Sequence, residues 1–322
     1  MERVMKNISY LLFLLYMLCP VVLPAKTVTH NGQLAVKGTQ LVNQYGEPVV
    51  LRGVSLGWHN WWPRFYNASV VKELACKWNS TVVRAAMGIE PQGAYLTNPH
   101  EAKKLVFKVI EAAIKENIYV IVDWHSHDIQ QEEAKLFFAE VANRYGKYPH
   151  IIYEIFNEPV LHSWEEVKQY SEEIIRAIRA VDADNIILVG SPHWSTDVDI
   201  VMTNPITISG NLMYSLHFYA NGHREDLRQK AEAAMAGGVP IFVSECASTE
   251  PSGDGEVDKK EWELWVNWME KNKISWVAWS LADKNESCSM LTPEASSKGK
   301  WKDKVIKESG LQTRYYIQLY NP

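Results

Sequence analysis

The chain has 322 residues, of which 47% are hydrophobic and 22% charged, with a formal net charge of -5. That length and apolar content suit one large globular domain or two small ones, and a pI near 6.1 removes any electrostatic case for nucleic acid or an anionic membrane as partner. Thirteen Trp and fifteen Tyr are more than a core of this size requires, and spare aromatic faces suit stacking on flat, weakly polar ligands such as sugar rings.

The N-terminus reads as an export signal over residues 1–25: Arg3 and Lys6, then the apolar run ISYLLFLLYMLCPVVL, then Ala25 as a small residue for cleavage. Pro20 and Pro24 interrupt the end of that run, which is short for a membrane span. A mature chain from residue 26 keeps Cys76, Cys246 and Cys288, so at most one disulfide is expected. Next, NGQLAVKGTQLVNQYGEPVVL, with its YGEP turn, predicts a small β-hairpin that closes the bottom of the domain.

Eight β-branched apolar runs then recur: 49–56, 80–87, 118–125, 151–156, 185–190, 212–219, 240–246 and 275–282, with starts 27 to 38 residues apart. The connections between them are helical, as in HEAKKLVFKVIEAAIKEN and WEEVKQYSEEIIRAIRAV, where apolar residues fall at three- and four-residue steps. Strands that read as continuous hydrophobic runs are buried on both faces. Eight of them alternating with helices predict an α/β fold of the closed (β/α)8, or TIM, barrel type, with 26–322 as one domain. An open doubly wound sheet would want a glycine-rich phosphate loop after the first strand, and GVSLGWHNWW is no such loop. Trp262, Trp265, Val266 and Met269, at helical spacing, are predicted core.

In such barrels the reactive groups stand at the C-terminal strand ends. Those ends carry Arg84 on the second strand, Asp123, His125 and His127 on the third, Asn157 and Glu158 on the fourth, His217 and Tyr219 on the sixth, Glu245 on the seventh and Trp279 on the eighth. Two carboxylates from different strands thus converge on one mouth. Glu154, inside an apolar run, must be paired or protonated and is expected to be structural.

The motifs RGVSLGW, VVRAAM, VDWH, YEIFNEP, SLHFYA, FVSECA and AWSLADKNES, in this order and spacing, resemble glycoside hydrolase family 5, in particular the bacterial endo-β-1,4-glucanases of its subfamily 2. The resemblance covers nearly the whole mature chain. It implies a secreted retaining glycosidase with Glu158 as general acid/base and Glu245 as nucleophile. It also implies Arg84, His125, Asn157, His217, Tyr219 and Trp279 around the scissile sugar. The chemistry agrees: one carboxyl must arrive protonated and the other ionised, about 5 to 5.5 Å apart. Arg84 and Tyr219 suit the anion of Glu245, and a carboxyl beside that anion is expected to have a raised pKa, as Glu158 requires.

Trp58, Trp61 and Trp62 in GWHNWW are expected to offer at least one exposed sugar platform, Trp58 and Trp62 foremost, and Lys284 and Glu286 to bind the next sugar towards the non-reducing end, although the family often has FWSQW where this chain has GWHNW. The expected substrate is the internal β-1,4 bond of a soluble glucan, with a family 5 mannanase or mixed-linkage glucanase as the alternative. No cofactor or metal is expected, and the partner is the polysaccharide alone, met by a monomer. A metal-dependent barrel hydrolase is the reading from another class: His125 and His127 two apart, with His217 and Asp123 or Asp283 completing a ligand set.

Overall fold

The computed structural model describes residues 27–321, so the expected export signal lies outside the described residues. After one short helical turn, Thr27–Asn31, come two short antiparallel strands, β1 (Ala35–Lys37) and β2 (Gln40–Val42). Gly38, at φ +62°, turns the chain between them, a left-handed conformation that glycine adopts without penalty. The YGEP turn forms as well, just after the hairpin: Asn43 Oδ1 accepts from Tyr45 N at 2.9 Å, and Val42 bridges to Pro48.

Eight parallel strands then close a barrel: β3 (Arg52–Leu56), β4 (Val82–Gly88), β5 (Tyr119–His125), β6 (Ile151–Glu154), β7 (Ile186–Val189), β8 (Leu212–Tyr219), β9 (Ile241–Ala247) and β10 (Trp276–Leu281), with β10 pairing both β9 and β3. Helices α1 (Ala68–Lys77), α2 (Pro99–Glu116), α3 (Gln131–Tyr145), α4 (Trp164–Arg179), α5 (Glu225–Ala236), α6 (Lys259–Asn272) and α7 (Glu308–Tyr320) surround it. Local chemistry sets their ends. Ser163 and Glu166 form a capping box at the start of α4, and Asn117 stops α2 with φ 62°. The expected helix between β7 and β8 is replaced by a 3-10 segment, Val198–Thr203. Pro192, Pro205 and Gly210 in that connection break helical continuity.

Alternation along the strands sorts the interior into layers. At the bottom, Val82, Tyr119, Ile121, Ile152, Ile186, Leu188, Met213, Phe242 and Val277 pack with Val28, Leu34, Leu41 and Val49 of the N-terminal segment, so the hairpin is the barrel's floor. Gly53 is required on β3, because a Cβ there would stand 1.8 Å from the Val82 carbonyl oxygen. The residues between strands and helices form the larger outer core. Trp265 is stacked on Phe218 at 3.8 Å, and Trp262, Val266 and Met269 are buried as the helical spacing predicts. Cys76, Cys246 and Cys288 are all free thiols. No helix among the described residues is long and apolar enough to cross a membrane.

Candidate active site

Two residues above the apolar floor, the inward side chains turn polar. Arg84 on β4 lies at the centre, fully buried, and its guanidinium is shared out. Nε donates to Glu154 Oε2 at 2.6 Å, Nη1 to Glu245 Oε2 at 2.9 Å and Nη2 to Asn157 Oδ1 at 2.6 Å, and Nη2 is ion-paired with Asp123 Oδ2 at 3.0 Å. Glu154 is therefore paired, as a carboxylate inside an apolar run has to be. Asn157 is fixed by the same contact. With Oδ1 held by Arg84, its amide must aim Nδ2 elsewhere, and Nδ2 is buried without a protein partner.

Glu245 reaches the cleft through an irregularity. Plain alternation along β9 from Phe242 and Ser244 would turn Glu245 outward and Cys246 inward. The pairing with β8 shifts instead, from Ser215 opposite Phe242 to His217 opposite Glu245, so three residues of β9 span two of β8. That bulge turns Glu245 inward and leaves Cys246 in the outer core, with Sγ on Val277 O at 3.4 Å. Tyr219 Oη donates to Glu245 Oε1 at 2.7 Å, so both oxygens of Glu245 accept a hydrogen bond.

Glu158 follows β6 and faces Glu245 across the mouth, with His217 close to both: one ligand atom from each of the three lies within 4.8 Å of the others. His217 Nδ1 donates to Glu158 Oε1 at 2.9 Å. Its Nε2 donates to Ser244 Oγ at 3.0 Å, Ser244 to Ser215 at 3.0 Å, and Ser215 to Glu154 Oε1 at 3.1 Å. Both imidazole nitrogens thus donate, which requires the cation. Burial works against that charge, but the bonds towards Glu154 and Glu158 outweigh it and raise the His217 pKa to about 9.

Arg84 and His217 are then two buried cations among four carboxyls. Burial raises Asp123 well above the usual range against the pull of Arg84, and raises Glu245 with help from the nearby Glu158. For Glu154 and Glu158 burial is overcome. Arg84 and His217 bring Glu154 down to about 2, and hydrogen bonds from His127 and His217 bring Glu158 to about 2. The expectation that Glu158 alone is raised by its anionic neighbour does not hold in the empty cleft, because two imidazoles, one of them not anticipated, cap its oxygens. The cluster exchanges protons as a unit.

Aromatic rings wall the mouth. His125 Nδ1 shares a hydrogen bond with Asp123 Oδ2 at 2.7 Å, and burial keeps this imidazole neutral. Its ring is stacked on Trp279 at 5.0 Å with 3° between planes, and Trp58 meets it edge-on at 4.4 Å. Trp279 is 8% exposed and packs with Ala86, Ala247, Cys288, Trp58 and Tyr219. Of the indoles after β3, Trp61 is the exposed one at 52%, 4.8 Å from Trp58, whereas Trp62 packs against the outer core. Lys284 and Glu286 form an ion pair on the loop after β10.

The ligand set of the alternative, metal-dependent reading is not brought together among the described residues. Asp123 and Asp283 are paired with arginines, and among the described residues the trio at metal-ligand spacing is Glu158, His217 and Glu245, not His125 and His127. Unanticipated from sequence is the other side of Glu158, a cavity of about 680 Å³ lined by His193, Trp194, Thr196, His223, Pro251 and Ser252. Trp194 is 51% exposed there.

A cleft with paired carboxyls, aromatic walls and an unpartnered amide donor is built for a polyhydroxylated ring, and known proteins bear this out. The model of the cellulase family, glycosyl hydrolase family 5, matches residues 42–285. An endoglucanase of Clostridium saccharobutylicum is 41% identical over 95% of this chain and 71% of its own length. Endoglucanase Z of Dickeya dadantii is 43% identical over 83% of this chain, which spans 62% of that protein. Among solved structures, a protein from Cytophaga hutchinsonii is 44% identical with a TM-score of 0.90, over 92% of this chain and 97% of the other. The Thermobifida fusca endoglucanase catalytic domain in complex with cellotetraose is 32% identical with a TM-score of 0.87, over 91% of this chain and all of that one (100%).

Proposed function

The chain belongs to glycosyl hydrolase family 5, and from that premise we propose a retaining endo-β-1,4-glucanase in which Glu158 is the general acid/base and Glu245 the nucleophile. The observation that carries the reading is the pair of carboxyls from β6 and β9, with one oxygen of each within 4.8 Å, close to the separation that retention requires and too small to seat a water for inversion.

The bound sugar lies against Trp279, with a hydroxyl on His125 Nε2. A Glu245 oxygen attacks C1 as the C1–O bond to the leaving sugar breaks, and the departing glycosidic oxygen takes the proton of Glu158. The product is a glycosyl ester on Glu245. Ionised Glu158 then removes a proton from a water that attacks C1 from the vacated side, the ester C–O bond breaks, and Glu245 leaves as the carboxylate. Arg84 and Tyr219 stabilise that carboxylate before attack and after release. The unpartnered Nδ2 of Asn157 donates to the sugar 2-hydroxyl, a bond that strengthens as C1 gains oxocarbenium character. In the empty cleft the proton that Glu158 delivers is held by its hydrogen-bonded partners, and it returns to Glu158 when sugar displaces water and developing charge at C1 favours the Glu245 anion. Export follows from Arg3, Lys6 and the apolar run that succeeds them.

Azide separates the two roles. With an activated aryl cellobioside, Glu245→Ala plus azide is expected to give the α-glycosyl azide, because the anion enters the space the nucleophile leaves. Glu158→Ala is expected to show a burst, then stall, and azide then yields the β-azide. The reverse pairing of variant and product overturns the assignment.

A further inference from the structure

Glu158 has two oxygens, and in the empty cleft an imidazole caps each. Oε1 accepts from His217 Nδ1 at 2.9 Å and Oε2 from His127 Nε2 at 3.2 Å. The two histidines differ in every other respect. His217 has a side chain 2% exposed, and its second nitrogen is tied through Ser244 and Ser215 to Glu154. His127 has a side chain 42% exposed, stands on the loop beyond β5, and rests on Trp58 at 5.8 Å between ring centroids. Its bond to Glu158 is its one side-chain hydrogen bond to the described residues.

A general acid must bring an oxygen within hydrogen-bond reach of the glycosidic oxygen. Each oxygen of Glu158 keeps a second lone pair, but the imidazole on it crowds the approach of a sugar, and the two imidazoles differ in how readily they yield. Moving His217 would break a buried chain of four hydrogen bonds, whereas moving His127 breaks one at the solvent edge. We propose that His127 is a displaceable cap on Glu158: it holds Oε2 while the cleft is empty, and the leaving-group sugar pushes it aside, so the oxygen it releases is the one that meets the glycosidic oxygen. This rests on the reading of Glu158 as the acid/base.

The cap makes His127 a positioning residue whose effect is confined to the free enzyme. A donor to a carboxylate favours its ionised form, so His127 holds Glu158 ionised before substrate arrives and loses that influence once displaced. The partnership runs both ways, since the bond to Glu158, against burial, raises the His127 pKa. Other groups facing the pair are Glu90 after β4, His125 on β5, His217 and Tyr219 on β8, His223 beyond it and Glu245 on β9, and none of these is removed by substituting His127.

The test uses the separation between two pH profiles, since kcat/KM reports the free enzyme and kcat the substrate complex. His127→Phe keeps a ring against Trp58 and removes the donor. Its alkaline limb of kcat/KM is expected to move to higher pH by about half a unit or more, while the limb of kcat stays where it is in the wild type. His127→Gln, whose amide N–H reaches the same oxygen, is expected to return the kcat/KM limb towards the wild-type position. Two limbs that move together, or two that do not move, overturn the cap. Limb positions survive a loss of specific activity, so damage to the fold does not imitate the result. A β-azide from Glu158→Ala alongside unmoved limbs would sink this inference alone, whereas an α-azide would sink the acid/base reading beneath it.

Discussion

Asn157 shows how one side chain at a strand end gains a task from its neighbours. Its oxygen is held by Arg84 Nη2 at 2.6 Å and its nitrogen is buried and unpartnered, so the amide cannot flip without setting an N–H against the guanidinium. An unpaired buried donor is costly and persists where a ligand completes it. Asn157→Ala is expected to lower kcat by about 10²-fold or more with a smaller change in KM, because the bond to the 2-hydroxyl strengthens in the transition state. Aryl 2-deoxy-cellobioside is the control: without a 2-hydroxyl, wild type and variant should turn over at nearly the same rate, and a full 10²-fold gap on that substrate would argue for a packing role. The residues of this layer were legible in sequence wherever a polar group ended an apolar run, as with Arg84, Asn157, Glu158, His217 and Glu245. Ser215 and Ser244 were not, nor was the pairing of His127 with Glu158, because short hydroxyls and loop imidazoles gain their meaning from partners distant in the chain.

Among the elements, the connection from β7 to β8 departs furthest from the pattern and supplies His193, Trp194 and Thr196 to the unanticipated cavity. His193, Trp194 and Ser195 all have left-handed backbones, with φ between 53° and 57°, which non-glycine residues adopt only when their surroundings hold them. The holding contacts run to the strand end that bears the acid/base: Ser195 Oγ donates to Asn157 O at 2.8 Å, and Trp194 N to Pro159 O at 3.1 Å. The strained turn thereby presents an indole to the cavity that Glu158 also lines. Trp194→Ala is expected to raise KM about tenfold for cellopentaose or longer chains, the loss of one stacking contact, while leaving an aryl cellobioside with a small aglycone unaffected. Equal losses on both substrates would place Trp194 outside the sugar path. Sequence periodicity gave no warning of this element, because a segment broken by prolines and a glycine reads only as loop. The β9 bulge was equally hidden, although Glu245 at its strand end was not.

Across the whole molecule, the buried charges of the middle layer tie stability to pH. His217 has a folded pKa of about 9 against an ordinary 6.5. A histidine raised in this way contributes stability that is complete below about 6.5 and lost as pH rises through 9, a term on the order of 3 kcal/mol. His127 is raised as well and adds to the same slope, whereas His59, His125, His150 and His223 are lowered and act only below 6.5. Buried tyrosines and cysteines with raised pKa begin to matter only above about 9. Two histidines give up stability between 6.5 and 9, and one of them can be removed at the surface. Asp123 and Glu245, raised by burial, lose stability in the same direction as pH rises, and they remain when either histidine is substituted. In a His127→Phe background, the urea midpoint is expected to fall as pH is raised from 6.5 to 9. Adding His217→Asn is expected to lower the midpoint at pH 6.5, because Glu154 loses its cation, and to make the slope across the window shallower, because the share of the imidazole is gone. A slope of the same steepness with and without His217 would mean that the imidazole is already neutral in the folded protein, and that the chain of donors from Glu158 to Glu154 runs in the opposite direction.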